Sequence, residues 1–284
     1  MARFRADVEG CGCIRCQGVG LAVRRRSLPA VFRWSARLPI ERPSIAVAFL
    51  AVGLGQAALL ATPGVGVPLA AVVGVLGAAV GRGYVGILGR AALGGHRLSP
   101  SAALRRLARR LPAFLAAGVL AGGALGAFVW LVTAWLAGPV RTGLGSLGAA
   151  PLAGEVVVLV GLAAGTVYLV TKLWFLPEAC FVGGYGPIAA LRVSWHVASL
   201  RRAKVLALVG GFGLLLGLGV LFDARVAAPD SPVVLSLTVR ETTVVLRSFG
   251  LSAASGARFA FDVLLATGYS GVFVHHYVGS VLER

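Results

Sequence analysis

Six apolar runs, each about as long as a bilayer is thick, leave this chain few ways to fold. They lie at about 43–61, 65–89, 112–137, 152–182, 203–222 and 257–278. A helix rises about 1.5 Å per residue, so roughly twenty apolar residues cross about 30 Å of hydrocarbon. No water is available there, and each backbone amide must be satisfied within its own segment, which makes a helix the form such runs take. The reading is an all-α polytopic membrane bundle with six transmembrane helices. Only 13% of the 284 residues are charged and mean hydropathy is +0.88. That is too little charge to clothe a water-soluble domain of this length.

The net charge of +17 is carried almost wholly by arginine, which outnumbers lysine 25 to 2. This bias, with abundant Ala, Gly, Val and Pro, reads as a GC-rich prokaryotic genome. A nucleic-acid binder would spread basic residues over a soluble face with aromatic platforms. Here they flank the apolar runs, so nucleic acid is not expected as a partner. Nine arginines precede the first run, seven lie between Arg82 and Leu111, and four basic residues lie between Gly183 and Lys204. The opposite loops hold Arg141 and, after residue 222, Arg225, Arg240 and Arg247 balanced by Asp223, Asp230 and Glu241. Basic loops stay cytoplasmic, so both termini are expected inside a cell membrane crossed several times. Ser231–Gly250 is long enough for a seventh span, but Arg240 and Glu241 would then cost about 2.5–3.5 kcal/mol each at mid-bilayer. An extracytoplasmic amphipathic segment is the preferred reading.

An internal repeat organises the runs. "PSAALRR" from Pro100 and "PIAALRV" from Pro187 each follow a Gly-Gly pair, and "PAVFRWSAR" from Pro29 also leads into an apolar run. Three units result, at about 28–95, 99–184 and 186–280, each a basic helix followed by a hairpin of two spans. Residues 1–27 fall outside them and read as a disordered basic tail. In the second unit Leu104, Leu107, Ala108 and Leu111 share one helical face and Arg105, Arg106, Arg109 and Arg110 the other. Ser99 caps the helix and Pro100 suits its first turn. One oily and one cationic face predict a helix lying in the cytoplasmic interface. In the third unit Ile188, Leu191, Trp195 and Ala198 form the stripe opposite Arg192, His196 and Ser199, with Arg201 and Arg202 following; in the first, Arg33 and Arg37 share a face while Phe32 and Trp34 suit the interface. Each arginine adds up to about 1 kcal/mol on an anionic leaflet, so anionic lipid is the expected partner, with a partner protein or a second copy also open.

Many of the forty glycines fall in the spans. Gly118–Gly122–Gly126, Gly77–Gly81, Gly161–Gly165 and Gly213–Gly217 have the spacing that lets helix backbones approach closely. The ionisable residues Arg82, Arg90, Lys172, Glu178 and Asp262 lie in or beside spans, where charge faces the bundle interior, a cavity or the headgroups. Superposing the Gly-Gly pairs sets Arg82 beside the counterpart of Lys172 and Arg90 next to that of Glu178, with His275 near in the third unit. A ring of Arg90, Glu178 and His275 at the cytoplasmic mouth follows as an expectation, read first as snorkelling bases and a salt bridge and second as an anion or headgroup site.

Catalysis is not expected. "GYSGVFVHH" from Gly268 contains a GxSG like that of rhomboid proteases, but Ser270 is already in the last run, and His275 falls on another face of the same helix. Cys11, Cys13 and Cys16 are three thiols without a second ligand pair, which is a weak zinc signal, and Cys180 stands far along the chain. No metal or cofactor is expected.

"GGHRLSPSAALRR" from Gly94 and "EACFVGGYGPIAALRVSW" from Glu178 carry a resemblance. From about Leu28 onward the chain resembles the uncharacterised six-span membrane proteins of archaea and the membrane domain that accompanies some glycerophosphodiester phosphodiesterases. The resemblance implies a membrane module; the phosphodiesterase catalytic domain has no counterpart, so no enzymatic residue is implied. The expectation is a non-catalytic scaffold or accessory module, with a transporter or channel subunit as the alternative and an intramembrane enzyme third.

Overall fold

The computed structural model describes residues 6–7, 10–11, 26–60, 62, 66–146, 151–227 and 253–282, and every structural statement concerns these. They are helical apart from short connections and one antiparallel pairing of β1 (Ala6–Asp7) with β2 (Gly10–Cys11). The helices are α1 (Leu28–Glu41), α2 (Ser44–Leu60), α3 (Gly66–Leu93), α4 (Pro100–Leu131), α5 (Ala137–Ser146), α6 (Pro151–Leu173), α7 (Leu176–Phe181), α8 (Pro187–Leu200), α9 (Arg202–Ala227) and α10 (Ala253–Leu282). Most of the expected tail and all of Ser231–Gly250 lie outside the described residues.

Among the described residues four helical stretches are long and apolar enough to cross a membrane: Leu69–Leu93, Pro100–Val140, Ala153–Phe181 and Arg202–Phe222. A fifth is reached if α1 and α2, which meet at 83°, count as one bent span. The sixth apolar run forms α10, which does not reach the same apolarity. Its composition has a physical reason. Tyr277, Phe273, Val272, Val274 and Val278 are fully buried, and so nearly are Thr267, Ser270, His275, His276 and Ser280. Protein covers the C-terminal half of this helix, from Leu265 onward, and α1, α2 and α3 all pack on α10.

The chain divides into two compact units, one comprising Met1–Cys13 and Ala108–Leu206, the other Ile14–Leu107 and Ala207–Arg284. In the second unit α2 and α3 form a close hairpin. A Cβ on Gly77 would meet Val52 at 2.5 Å, and one on Gly81 would meet Phe49 at 2.9 Å. In the first unit Gly165 lies equally close to Phe128. Gly118, Gly122, Gly126, Gly161, Gly213 and Gly217 instead face open space, so of the expected glycine motifs the Gly77–Gly81 pair is the one both of whose members meet a neighbouring helix.

Two features of the basic segments bear on their placement. First, the basic helix of the repeat 99–184 runs straight on into its apolar run: α4 starts at Pro100, passes through a π-helical turn at Val132–Leu136, where the Thr133 hydroxyl donates to the carbonyls of Val129 and Trp130, and continues into α5. Pro112 does not interrupt it, because Leu111 and Ala113 continue the helix around it. The apolar stretch from Pro100 to Val140 is 41 residues, about 60 Å at a helical rise. Second, the large apolar residues of the stripes lie outside the packed faces. α8 buries Ala190, Ser194, Val197 and Ala198 and exposes Ile188 and Trp195; α1 buries Val31, Ser35 and Leu38 and exposes Phe32 and Ile40. Small residues let backbones approach, and lipid solvates large apolar side chains as well as a core does.

Candidate functional site

The fourth apolar run is broken near its end. α6 stops at Leu173 and α7 restarts at Leu176 with Pro177 in its first turn. Ser194 of α8 bridges the gap: its hydroxyl donates to the Lys172 carbonyl at 2.8 Å and accepts from the Phe175 amide at 3.2 Å. Two backbone groups freed by the break are satisfied by one buried side chain, as buried polar groups require.

On the other side of that break the Lys172 side chain is 5% exposed. Its ammonium donates to Ser199 Oγ at 2.6 Å and lies 5.4 Å from the ring centres of both Tyr168 and Trp195. Those rings meet edge to face at 5.9 Å. Both distances to the rings are within cation–π reach. Ser199 in turn donates to the Trp195 carbonyl at 2.7 Å, which fixes the oxygen that receives the lysine. The arrangement comes from two i,i+4 pairs, Tyr168–Lys172 on α6 and Trp195–Ser199 on α8, laid face to face. Among the described residues no carboxylate is paired with Lys172, and the exposed Arg201 and Arg202 follow its Ser199 partner where α8 gives way to α9.

The second unit contains a corner of the same construction. α1, like α8, has 14 residues and opens with proline in its first turn; α1 ends at Arg42 (φ −135°, ψ 76°) and α8 at Arg201 (φ −134°, ψ 62°). Its buried Ser35 donates to the Gly268 carbonyl of α10, as Ser194 does to Lys172. Gly271 lies directly against Ser35, three residues past the accepting carbonyl, as Phe175 is past Lys172. With the serines and their acceptors superposed, Lys172, Tyr168, Trp195, Ser199 and Arg202 correspond to Gly268, Leu264, Ala36, Ile40 and Pro43. All five members of the first unit's cluster are replaced by residues without a polar side chain.

The other expected residues fall as follows. Arg82 stacks over the Phe273 ring at 4.7 Å, and His275 packs edge-on against Trp34 at 5.8 Å. Arg90 and His275 belong to one compact unit and Glu178, fully buried in α7, to the other. Glu178 and Cys180 are both fully buried in α7. Arg110 lies against Gly184, whose φ of +67° makes the turn out of α7; Gly95 makes the corresponding turn after α3 at φ +74°. Only glycine adopts that region freely. Arg33, Arg37, Arg105, Arg106, Arg109, Arg192, Arg201 and Arg202 are all exposed, and Arg110 half-buried.

Asp262 pairs with Arg258 one turn away at 2.7 Å. The Ser270 hydroxyl donates to the Ala266 carbonyl of its own helix at 2.5 Å. Cys13 and Cys16 lie outside the described residues, and Cys180 is buried with a free thiol. An apolar groove of about 620 Å³ runs in the first unit between Ala116–Leu120 of α4 and Gly186–Ala189.

Sequence reasoning singled out Lys172, named Trp195 and Ser199 only as opposite faces of an amphipathic helix, and missed Tyr168 and Ser194. The i,i+4 spacings were present, but nothing in one sequence states that α8 lies on α6. No family model, no curated protein and no solved structure matches this chain.

Proposed function

We propose that this protein is a six-span integral protein of the cytoplasmic membrane, built from the three units 28–95, 99–184 and 186–280, with both termini cytoplasmic. In this proposal it acts as a non-catalytic scaffold or accessory module whose cationic inner face meets anionic lipid or a partner protein. The kinship with archaeal six-span proteins and phosphodiesterase membrane domains belongs to the same proposal. One observation carries it: on α1 and α8, exposed arginines (Arg33, Arg37, Arg192, Arg201) stand beside exposed large apolar residues (Phe32, Ile40, Ile188, Trp195). A helix clothed in this way suits the boundary between headgroups and hydrocarbon. The repeat is supported by the matching serine corners and by the two positive-φ glycines that end α3 and α7. α10 has 30 residues, ample length for a sixth span, and a helix screened by protein needs less hydropathy than one facing lipid.

The test is topological and chemical together. Reporters at both ends should react with an impermeant reagent only after permeabilisation, and one at Gly143 should react in intact cells. Replacing Arg33, Arg37, Arg105, Arg106 and Arg109 with Gln should halve, or more, the anionic lipid that copurifies. External labelling of the termini, or unchanged lipid, would refute the proposal. A transport role is favoured by one observation, the full burial of Glu178 in α7; that reading requires liposome flux that Glu178→Gln alters.

A further inference from the structure

We infer that Lys172 and Arg202, with Ser199 holding the lysine and Tyr168 and Trp195 roofing it, form a specific binding site for a phosphate group. The inference rests on the membrane reading above and sharpens it from a diffuse cationic face to one built pocket.

Four observations converge. The first is charge. The screened Lys172 ammonium has one hydrogen bond and two aromatic rings but no described carboxylate to offset it, and Arg201 and Arg202 follow its serine partner, so the pocket holds net positive charge for an anion to meet. The second is valence. Lys172 has three N–H donors. One is used by Ser199, and Ser199 is locked by its own bond to the Trp195 carbonyl, so it orients the lysine and leaves two donors for a ligand. Phosphate oxygens are strong acceptors for ammonium and guanidinium, and Arg202 opens the 26-residue α9, whose first-turn amides add positive potential. The third is access. The lysine is covered by side chains that are themselves open, Tyr168 at 53% and Trp195 at 42% exposure, so a small rotation of either ring uncovers it. Indole and phenol rings favour headgroup depth, which is where a phosphodiester of the leaflet would arrive.

The fourth observation separates function from architecture. The corner in the second unit keeps the serine, the paired carbonyl and the same helix-ending arginine without any counterpart of Lys172, Tyr168, Trp195, Ser199 or Arg202. Ile40 and Leu264, in the positions of Ser199 and Tyr168, are 80% and 72% exposed. Helix-on-helix packing therefore does not require the cluster. It is an addition to one copy of a scaffold that stands without it.

The phosphate could arrive on a lipid or free in solution, and the experiment distinguishes the two. The full chain, purified in a nonionic detergent, is titrated with short-chain phosphatidylglycerol, with short-chain phosphatidylcholine and with inorganic phosphate, binding being read by calorimetry. One saturable site is expected, weakened at least tenfold by Lys172→Gln and about threefold by Arg202→Gln. Selective binding of phosphatidylglycerol identifies a lipid headgroup as the source; equal or tighter binding of inorganic phosphate, with the same dependence on Lys172, identifies a free anion. Either supports the site. Arg202 is exposed, so Arg202→Gln decides the matter if Lys172→Gln fails to fold. The inference is overturned if no ligand saturates, or if neither variant changes the affinity. The lipid that copurifies is measured alongside. Loss of the saturable site with arginine-dependent copurification intact sinks this inference alone, and the reverse pattern sinks the broader membrane-face reading alone.

Discussion

Two serines with the same packing do different amounts of work. Ser194 answers both a carbonyl and an amide where α6 gives way to α7, whereas Ser35 donates to a carbonyl within continuous α10. Ser194→Ala removes two hydrogen bonds, one to the Lys172 carbonyl and one from the Phe175 amide, a loss of about 1–3 kcal/mol at about 0.5–1.5 kcal/mol each. Ser35→Ala should cost less, about 0.5–1.5 kcal/mol, because the Gly268 carbonyl keeps its helical partner. Thermal unfolding in detergent should rank Ser194→Ala clearly below Ser35→Ala, and equal losses would contradict the bridging role. The lysine count supplies a second residue-scale test. The chain has two lysines, Lys172 and Lys204. An amine-reactive probe on the native protein should modify Lys204 first, and Trp195→Ala should speed modification of Lys172 several-fold, read by peptide mass spectrometry. At this scale Lys172 was legible in the sequence because a charge in an apolar run is conspicuous. Its holders were not, because a serine, a tyrosine and a tryptophan are unremarkable until two helices are known to touch.

Helix identity and extent were largely legible from the apolar runs: the first five fall on α2, α3, α4–α5, α6–α7 and α9, and the sixth on α10. Which face each helix turns inward was not. An oily stripe does not say whether it meets core or lipid, because lipid removes the drive that sends large apolar side chains to the core; Ala190, Ser194 and Val197 point inward while Ile188 and Trp195 point out. The break at Trp174–Phe175 had a signal in Pro177, which cannot donate a helical hydrogen bond. Glycine spacing likewise could not separate used motifs from unused ones. Gly77→Leu should force Val52 and its helix aside and destabilise the α2–α3 hairpin by about 1–3 kcal/mol, whereas Gly122→Leu, facing open space, should leave the melting temperature of the isolated protein unchanged. Equal effects would show that the α2–α3 contact is not where the close packing lies.

At the scale of the whole molecule, α10 joins the last described residues to the first helices of the chain. It supplies the carbonyl that receives Ser35, the ring that receives Arg82 and the histidine that meets Trp34. A chain stopped at Ala227 should therefore lose protection at Arg33 and Arg37 in limited trypsin digestion, while cleavage at Arg192 and Arg201 stays unchanged. Equal cleavage in both chains would deny α10 that role. The long α4–α5 stretch bears on a different property. From Pro112, where its arginine-bearing turns end, to Val140, the helix has 29 residues, about 43 Å against roughly 30 Å of hydrocarbon. A rod that overshoots its solvent must lean, or stretch the lipid tails around it. In the proposed bilayer setting, membrane thickness becomes a variable to which the protein should respond, and among compartments or domains of unequal depth it should collect in the thickest.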